Sequence, residues 1–512
     1  MGTTGRGMTS SSRIPPDALL LLDRLAALLD ARGVQAYLVG GFIRDTLLGV
    51  PTRDVDLAVD GDCLHLGREL ADALGGAYVP LDESHQVARI VLAPGPSRGL
   101  ADGWRVDLAT MQGQDIHDDL ARRDFAIDAL ALPLAQRHEA DWPAKLLDLY
   151  DGRGDLGRKL VRALRPQVFD EDPIRLLRAP RIAARLGFAI EGATERAIIE
   201  RASLVQNVAG ERVRDEFMAL LSMDSVGTHL RLLDCLGLLC QVVPELAQAR
   251  GVGQPKEHYW DVFNHSVEAV AFAEAVTSGR RDGIYSIVQW DEVTARHFAE
   301  EASDGYDRRT ILKLAALLHD IAKPQTRAPD ETGRIRFLGH QTLGAQMAEA
   351  ICQRLRLSSR GVRMISAMLE HHLRPTQMAQ GAELPTARAV YRYFRDLDEV
   401  AVDTLYLCLA DYLAAKGPAL DVEDWKRHVR IVGHTLTSGL VERAPSRSRW
   451  LVNGHDLMEA LGLAPGPSLG VVLNAVHEAQ AVGEVSSRED ALEWAGRYVR
   501  KTGVAPFPGR EG

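Results

Sequence analysis

Two aspartates one residue apart, Asp54 and Asp56 in TRDVDLAVD (52–60), are the strongest candidates for chemistry in this chain. The run reads as a strand, and strand alternation places both carboxylates on one face. Two carboxylates there cannot face an apolar core unpaired. They can share hard divalent cations, which prefer oxygen ligands and nucleotide phosphates. A pair of such cations activates an attacking hydroxyl and stabilises a leaving pyrophosphate. The spacing alone is a weak signal, because surface carboxylates adopt it often. Asp107 in RVDLAT, on another expected strand, is a candidate third carboxylate that would take the proton of the attacking hydroxyl.

Three further strings offer anion and base contacts. In LVGGFIRD (38–45) a strand runs into two glycines and then a helix, a turn that lets backbone approach a phosphate, with Arg44 one turn along. In DDLARRDFAIDAL (118–130), Arg122 or Arg123 can grip a triphosphate bidentately. In EDPIRLLRAPRIA (171–183), Asp172, Arg175, Arg178 and Arg181 recur every three residues, which on a helix makes one face. A carboxylate and a guanidinium side by side offer an acceptor and a donor to the edge of a base. A solvated, ion-paired face is the competing reading of that helix.

A second constellation lies downstream: His265, His319–Asp320, His340, His371–His372 and Asp411. Histidines and carboxylates spread over helices can build a divalent-metal site. This set looks like an HD domain. His265, His319, Asp320 and Asp411 are the expected core ligands, and His340 and His371 would complete a second metal position.

The elements that must carry these residues are legible in outline. Leu19, Leu22, Leu25, Leu28 and Leu29 predict a helix over 17–32. Short strands follow at 36–40, 55–59, 89–92 and 105–109, so 17–150 reads as a small α/β head. From 155 onward the pattern is nearly all helical, divided as a neck and body (151–257), an HD-type domain (258–415) and a tail (416–512). Residues 1–16 read as a disordered tail. The fold class is α+β. The net charge of -10 argues against a general nucleic-acid coat, yet 153–185 holds nine Arg/Lys against four Asp/Glu, a basic strip suited to phosphates. Five cysteines without a C-x-x-C pair disfavour disulfides or a zinc knuckle and fit a reducing compartment. No apolar run is long enough for a membrane span.

Taken in order, LVGGFIRD, RDVDLAV, DLARRDFAIDALAL, DGRGDLGRKLVRALRP, FDEDPIRLLRAPRIAARLGF and ERVRDEF (211–217) resemble the class II tRNA nucleotidyltransferase and poly(A) polymerase family over about residues 35–220. The stretch around KPQTR and GHQTLGA is similar to bacterial CCA-adding enzymes that carry an HD domain. The resemblance implies a polymerase-β-like head followed by helical neck, body and tail. It implies that Gly41 and Arg44 contact nucleotide phosphate and sugar, that Asp54 and Asp56 bind Mg2+, and that Arg122 contacts the incoming nucleotide. Asp172 and Arg175 would read the base, supported by Arg178 and Arg181. The partners would be the tRNA 3′ end, CTP and ATP, in the cytoplasm, with a second divalent metal in the HD region. Poly(A) synthesis, CC-only or A-only addition, and metal-dependent phosphohydrolysis are the alternatives. The chain departs from the family where Ala126-Ile127-Asp128 replaces Thr-Ile-Asn, and at Pro180, where a kink in the helix is expected.

Overall fold

The computed structural model describes residues 14–94, 103–379, 383–446 and 450–503. The expected tail at 1–16 falls almost wholly outside them. The chain divides into two compact units, one running to Leu220 and including Leu232–Val242, the other comprising Leu221–Arg231 and the chain from Val243.

The first unit opens with helix α1 (Pro16–Asp30), whose Leu21, Leu22, Leu25 and Leu29 are buried. Then come β1 (Ala36–Val39), α2 (Gly40–Leu48), β2 (Asp54–Val59), α3 (Cys63–Leu74), β3 (Ala77–Asp82), β4 (Val87–Leu92), β5 (Trp104–Thr110), α4 (Ile116–Ala121), β6 (Leu130–Pro133) and β7 (Leu147–Asp148). They form one seven-stranded sheet in the order β3-β4-β5-β2-β1-β6-β7. The central pair, β2 and β5, is parallel with Asp54 opposite Arg105 and Asp56 opposite Asp107. Period-two alternation makes this sheet two-faced. Val55 and Leu57 of β2, and Trp104, Val106 and Leu108 of β5, are buried on one side. The charged residues of both strands stand on the other. Four strands match the expectation closely; β3, β6 and β7 are additional.

After the sheet, α5 (Gly152–Arg158), α6 (Val168–Glu171) and α7 (Arg175–Leu186) follow. The neck is stitched to the head by backbone hydrogen bonds from Ala126 to Arg162 and from Leu164 to Asp124. That stitching brings the Arg122–Asp124 turn against α7. The helix α7 continues through Pro180 without a break. The region beyond 155 is mostly helical, as expected, with three short ladders: Leu160–Val161 with Ala189–Ile190, Glu301–Ser303 with Tyr306–Asp307, and Arg327–Pro329 with Ile335–Phe337.

In the second unit, the helices Val262–Val276, Arg308–Leu318, His340–Arg354, Ser359–His371 and Ala401–Lys416 bury most of their apolar residues. Three later helices, Gly454–Leu461, Pro467–Ala481 and Arg488–Thr502, share a core that includes Leu457, Val472, Val476 and Ala491. Among the described residues no helix is long and apolar enough to cross a membrane, and all five cysteines are free thiols.

Candidate active site

The turn from β1 into α2 is built for close approach. Gly40 has φ +62, and a Cβ there would lie 3.1 Å from Arg123 Nη1 and 3.3 Å from Asp56 Oδ2. A Cβ on Gly41 would meet Arg44 Nη2 and Asp56 Oδ2, each at 3.3 Å. Two glycines therefore let Asp56 and Arg123 close on the N-terminus of α2, where the Phe42 N–H donates to Asp56 Oδ2 at 3.2 Å. Burial raises the Asp56 pKa to about 6, and the neighbouring Asp107 carboxylate adds to the rise, against Arg123 and the Phe42 N–H.

Asp54 and Asp107 stand on the same face as Asp56. Each is held by a cross-strand arginine: Arg105 Nε lies 2.5 Å from Asp54 Oδ1, and Arg89 grips Asp107 with two bonds of 2.7 Å. Three carboxylates on one face, one of them with a raised pKa, make an all-oxygen donor set with accumulated negative charge. Oxygen donors and gathered charge suit a hard divalent cation, which would have to displace Arg105 and Arg89 to draw the outer carboxylates toward Asp56.

Beside this face lies a cavity of about 1240 Å3 whose wall carries six arginines, Arg122, Arg123, Arg165, Arg175, Arg178 and Arg212, alternating with six carboxylates, Asp82, Asp118, Asp119, Asp124, Glu171 and Asp172. Arg175 is held by backbone: its Nη1 donates to the Val168 carbonyl at 3.3 Å and its Nη2 to the Arg122 carbonyl at 3.1 Å. Arg178 lies 3.1 Å from Asp124, whose carboxyl burial would raise but Arg178 and Arg175 hold below the usual range. Arg123 spans the cavity wall and the Asp56 turn, steadied by Asp119 at 3.0 Å.

Three expectations change. Asp172 is not on the helical face: it is extended, φ -144 and ψ 95, between α6 and α7. Pro173 follows it, and a residue before proline is pushed out of the helical region. Arg181 is turned to Glu216 and is not on the cavity wall. Arg44 is buried, with Nε on Asp45 at 2.8 Å and Nη1 on Asp128 at 2.6 Å; it stays beside the Gly41 turn but off the wall. The departure at Asp128 is thus the partner of that arginine.

In the second unit, ligand atoms of His265, His319, Asp320 and Asp411 lie within 4.8 Å of one another, and so do those of Asp320, His340 and His372. His265 Nε2 is 3.0 Å from His319 Nε2, 3.2 Å from Asp320 Oδ2 and 3.1 Å from Asp411 Oδ1. His371, the expected ligand, gives way to His372. The helix ends at His371, and the following residue turns its ring 5.3 Å from that of His319. One device recurs at three histidines. Nδ1 of His319, His340 and His372 lies 2.8, 2.6 and 2.7 Å from the carbonyl three residues earlier. A carbonyl only accepts, so Nδ1 carries the proton and Nε2 presents its lone pair inward, the arrangement a metal-ligating histidine needs.

The donor set fits a divalent cation on two grounds. Asp320 Oδ1 and His340 Nε2 are buried without hydrogen-bond partners. Burial alone would lower the His319 pKa, yet the Asp320 and Asp411 carboxylates drive it up to about 10, a sign of the negative charge gathered there for a cation to neutralise. Lys323 Nζ also sits 2.5 Å from Asp320 Oδ2.

The sheet with its carboxylate face, beside a cavity lined with arginines, coincides with a nucleotidyltransferase head. Four family models match in succession: a poly A polymerase head domain over 36–162, a probable RNA and SrmB-binding site of polymerase A over 187–250, an HD domain over 262–416, and a putative tRNA nucleotidyltransferase domain 2 over 445–495. The chain is 33% identical to the A-adding tRNA nucleotidyltransferase of Deinococcus radiodurans over 480 residues, covering 91% of this chain and 96% of that one. It is 31% identical to the CC-adding tRNA nucleotidyltransferase of Thermus thermophilus, covering 92% and 97%. Its fold is similar to a CCA-adding enzyme solved with ATP, at TM-score 0.59, 21% identity and 95% coverage of both chains. It is also similar to the Thermotoga maritima CCA-adding enzyme solved with tRNA, at TM-score 0.56 and 22% identity, covering 95% and 97%. The chain belongs to the tRNA nucleotidyltransferase family.

Local patterns did not reveal Arg212, Arg165 or Asp119. Arg212 stands in the ERVRDEF string, so the signal was present without an assigned role.

Proposed function

We propose that this chain builds the CCA end of tRNA in the cytoplasm, adding CTP, CTP and then ATP without a template. The observation that carries the reading is the arginine-walled cavity with Asp172 and Arg175 on its rim, set beside the Asp54–Asp56–Asp107 face. The tRNA 3′ oxygen attacks the α-phosphorus, the new P–O bond forms, the bond to the β-phosphate oxygen breaks, and pyrophosphate leaves. Asp54 and Asp56 would hold Mg2+, which supplies Lewis-acid stabilisation of the phosphates. Asp107 accepts the hydroxyl proton once Arg89 yields. Arg122, Arg123 and Arg178 bind and orient the triphosphate. Asp172 accepts from the amino group of cytosine or adenine, and Arg175 donates to the adjacent ring nitrogen. Both bases present that donor–acceptor edge, whereas uracil and guanine present the reverse.

A second reading has its own support: the relatives matched along nearly their whole length are named for A addition and CC addition. Incubating the full chain with tRNA ending at the discriminator base, or in CC, with CTP and ATP singly and together, separates the readings. CCA on the first substrate supports complete addition. A product stopping at CC, or addition of A only to the CC-ended substrate, assigns a partial step. In the second unit, the His265–His319–Asp320–Asp411 cluster would hold a divalent cation and act on phosphoesters.

A further inference from the structure

Three of the four histidines in the second-unit cluster rest Nδ1 on a carbonyl; His265 does not. The difference follows from where each one stands. His319 and His372 close their helices and His340 opens its own, places where carbonyls fall outside the helical ladder. His265 lies inside the helix Val262–Val276, where the ladder engages them; the Asp261 carbonyl accepts its backbone N–H at 2.9 Å. Its Nε2 faces the cluster, 3.1 Å from Asp411 Oδ1, so as a ligand the ring carries its proton on Nδ1. That Nδ1 is buried with no partner. A ligating imidazole whose other nitrogen is unheld has nothing to fix its tautomer or its plane.

His258 stands beside it. The two rings have centroids 5.5 Å apart and planes at 69°. The His265–His319 pair gives the scale: with centroids at 5.0 Å and planes at 58°, its Nε2 atoms are 3.0 Å apart. His258 belongs to neither ligand group, yet it lines a cavity with Asp320, His340, His372 and Asp411, and its own Nδ1 is buried without a partner. Its loop is pinned. The His258 N–H donates to the Pro255 carbonyl at 2.9 Å, and the Tyr259 N–H to the Ala415 carbonyl at 2.8 Å, on the helix that carries Asp411. We propose that His258 is a positioning residue for the second-unit centre: its Nδ1 lone pair accepts the Nδ1–H of His265 and fixes that ring so that Nε2 meets a divalent cation. This rests on the reading of the cluster as a cation site given above. A small rotation of the His258 ring closes the pair, and both orphaned nitrogens are then satisfied, as buried polar atoms almost always are. His258 thereby does for His265 what the carbonyls do for the other three.

The test is calorimetric titration of Mn2+ into the full chain at about pH 8, above the ordinary histidine range. Wild type, His265→Ala, His258→Phe and His258→Asn are compared, with Tm recorded. The binding event missing from His265→Ala is the one that belongs to the cluster. Losing the group that holds a ligand's other nitrogen weakens metal binding on the order of 10–100-fold. His258→Phe keeps a ring but no acceptor, and its Kd for Mn2+ should rise at least ~10-fold. His258→Asn sets an oxygen acceptor near the place of Nδ1, and should bind closer to wild type than His258→Phe does. Equal affinity in wild type and His258→Phe overturns the role of His258 and leaves the cluster standing. Equal losses in His258→Phe and His258→Asn reduce the ring to packing and overturn it too. A wild-type titration that matches His265→Ala overturns the cation reading and the inference with it. Should His258→Phe fail to fold, His258→Ala takes its place and must bind Mn2+ more weakly than His258→Asn.

Discussion

At the scale of single residues, the carboxylate face makes the sharpest claims. Asp56 holds a pKa of about 6 because burial and Asp107 both disfavour its charge. A cation needs the ionised form. Activity should therefore be full well above pH 6 and fall as pH drops through it, with a one-proton limb. Raising the Mg2+ concentration should move that limb to lower pH, because the cation competes with the proton; a limb that ignores Mg2+ would count against Asp56 as a ligand. Asp107→Asn should lower kcat by about 100-fold or more, the usual worth of a general base, and measured single-turnover rates check it. Asp128 bears on stability. It pairs with the buried Arg44 at 2.6 Å, and removing one partner of a buried pair costs roughly 3 kcal/mol. Urea unfolding of Asp128→Ala should show a loss of that order. The aspartate pair and the glycines were legible because the chemistry sits in consecutive residues. The partners of Arg44, Arg181 and Asp172 were not: Asp128, Glu216 and Arg212 lie 84, 35 and 40 positions away. No local periodicity reports contacts at such separation.

At the scale of elements, the β1–α2 turn and the α6–α7 link decide the site. Gly40 combines a positive φ with two polar atoms crowding its missing Cβ. An L-residue in the left-handed region costs about 1–2 kcal/mol. Gly40→Ala should lose that much stability and, by displacing Asp56 and Arg123, lose activity beyond what the stability change explains. Thermal unfolding and kcat on the same preparation separate the two effects. The α6–α7 link shows where spacing misleads. A three-residue repeat placed Asp172 on a helix, but Pro173 forbids it, and only the arginines from Arg175 onward keep helical geometry. The strands β2 and β5 announce themselves by alternation between apolar and charged residues, and β1 and β4 by short runs that are mostly apolar. β3 does not, because Tyr78, Val79, Pro80 and Leu81 give no such alternation and most of its residues are exposed.

At the scale of the whole molecule, each of the two units carries its own ionisable centre. In the second unit the structure brings together the expected His265, His319, Asp320, His340 and Asp411, with His372 in place of His371, because adjacent histidines look alike until the end of the helix is known. His372→Ala should weaken binding of a divalent probe such as Mn2+ by at least ~10-fold, whereas His371→Ala should leave it near wild type; calorimetric titration reads both. The opposite ranking would return the ligand role to His371. The central claim concerns the first unit. The most direct measurement is extension of tRNA ending at the discriminator base by wild type and by Asp56→Asn, with CTP, ATP and Mg2+ and products resolved to the nucleotide. The account predicts a CCA end from wild type and no extension from the variant. Undiminished extension by Asp56→Asn, or none by wild type on any tRNA end, would contradict it.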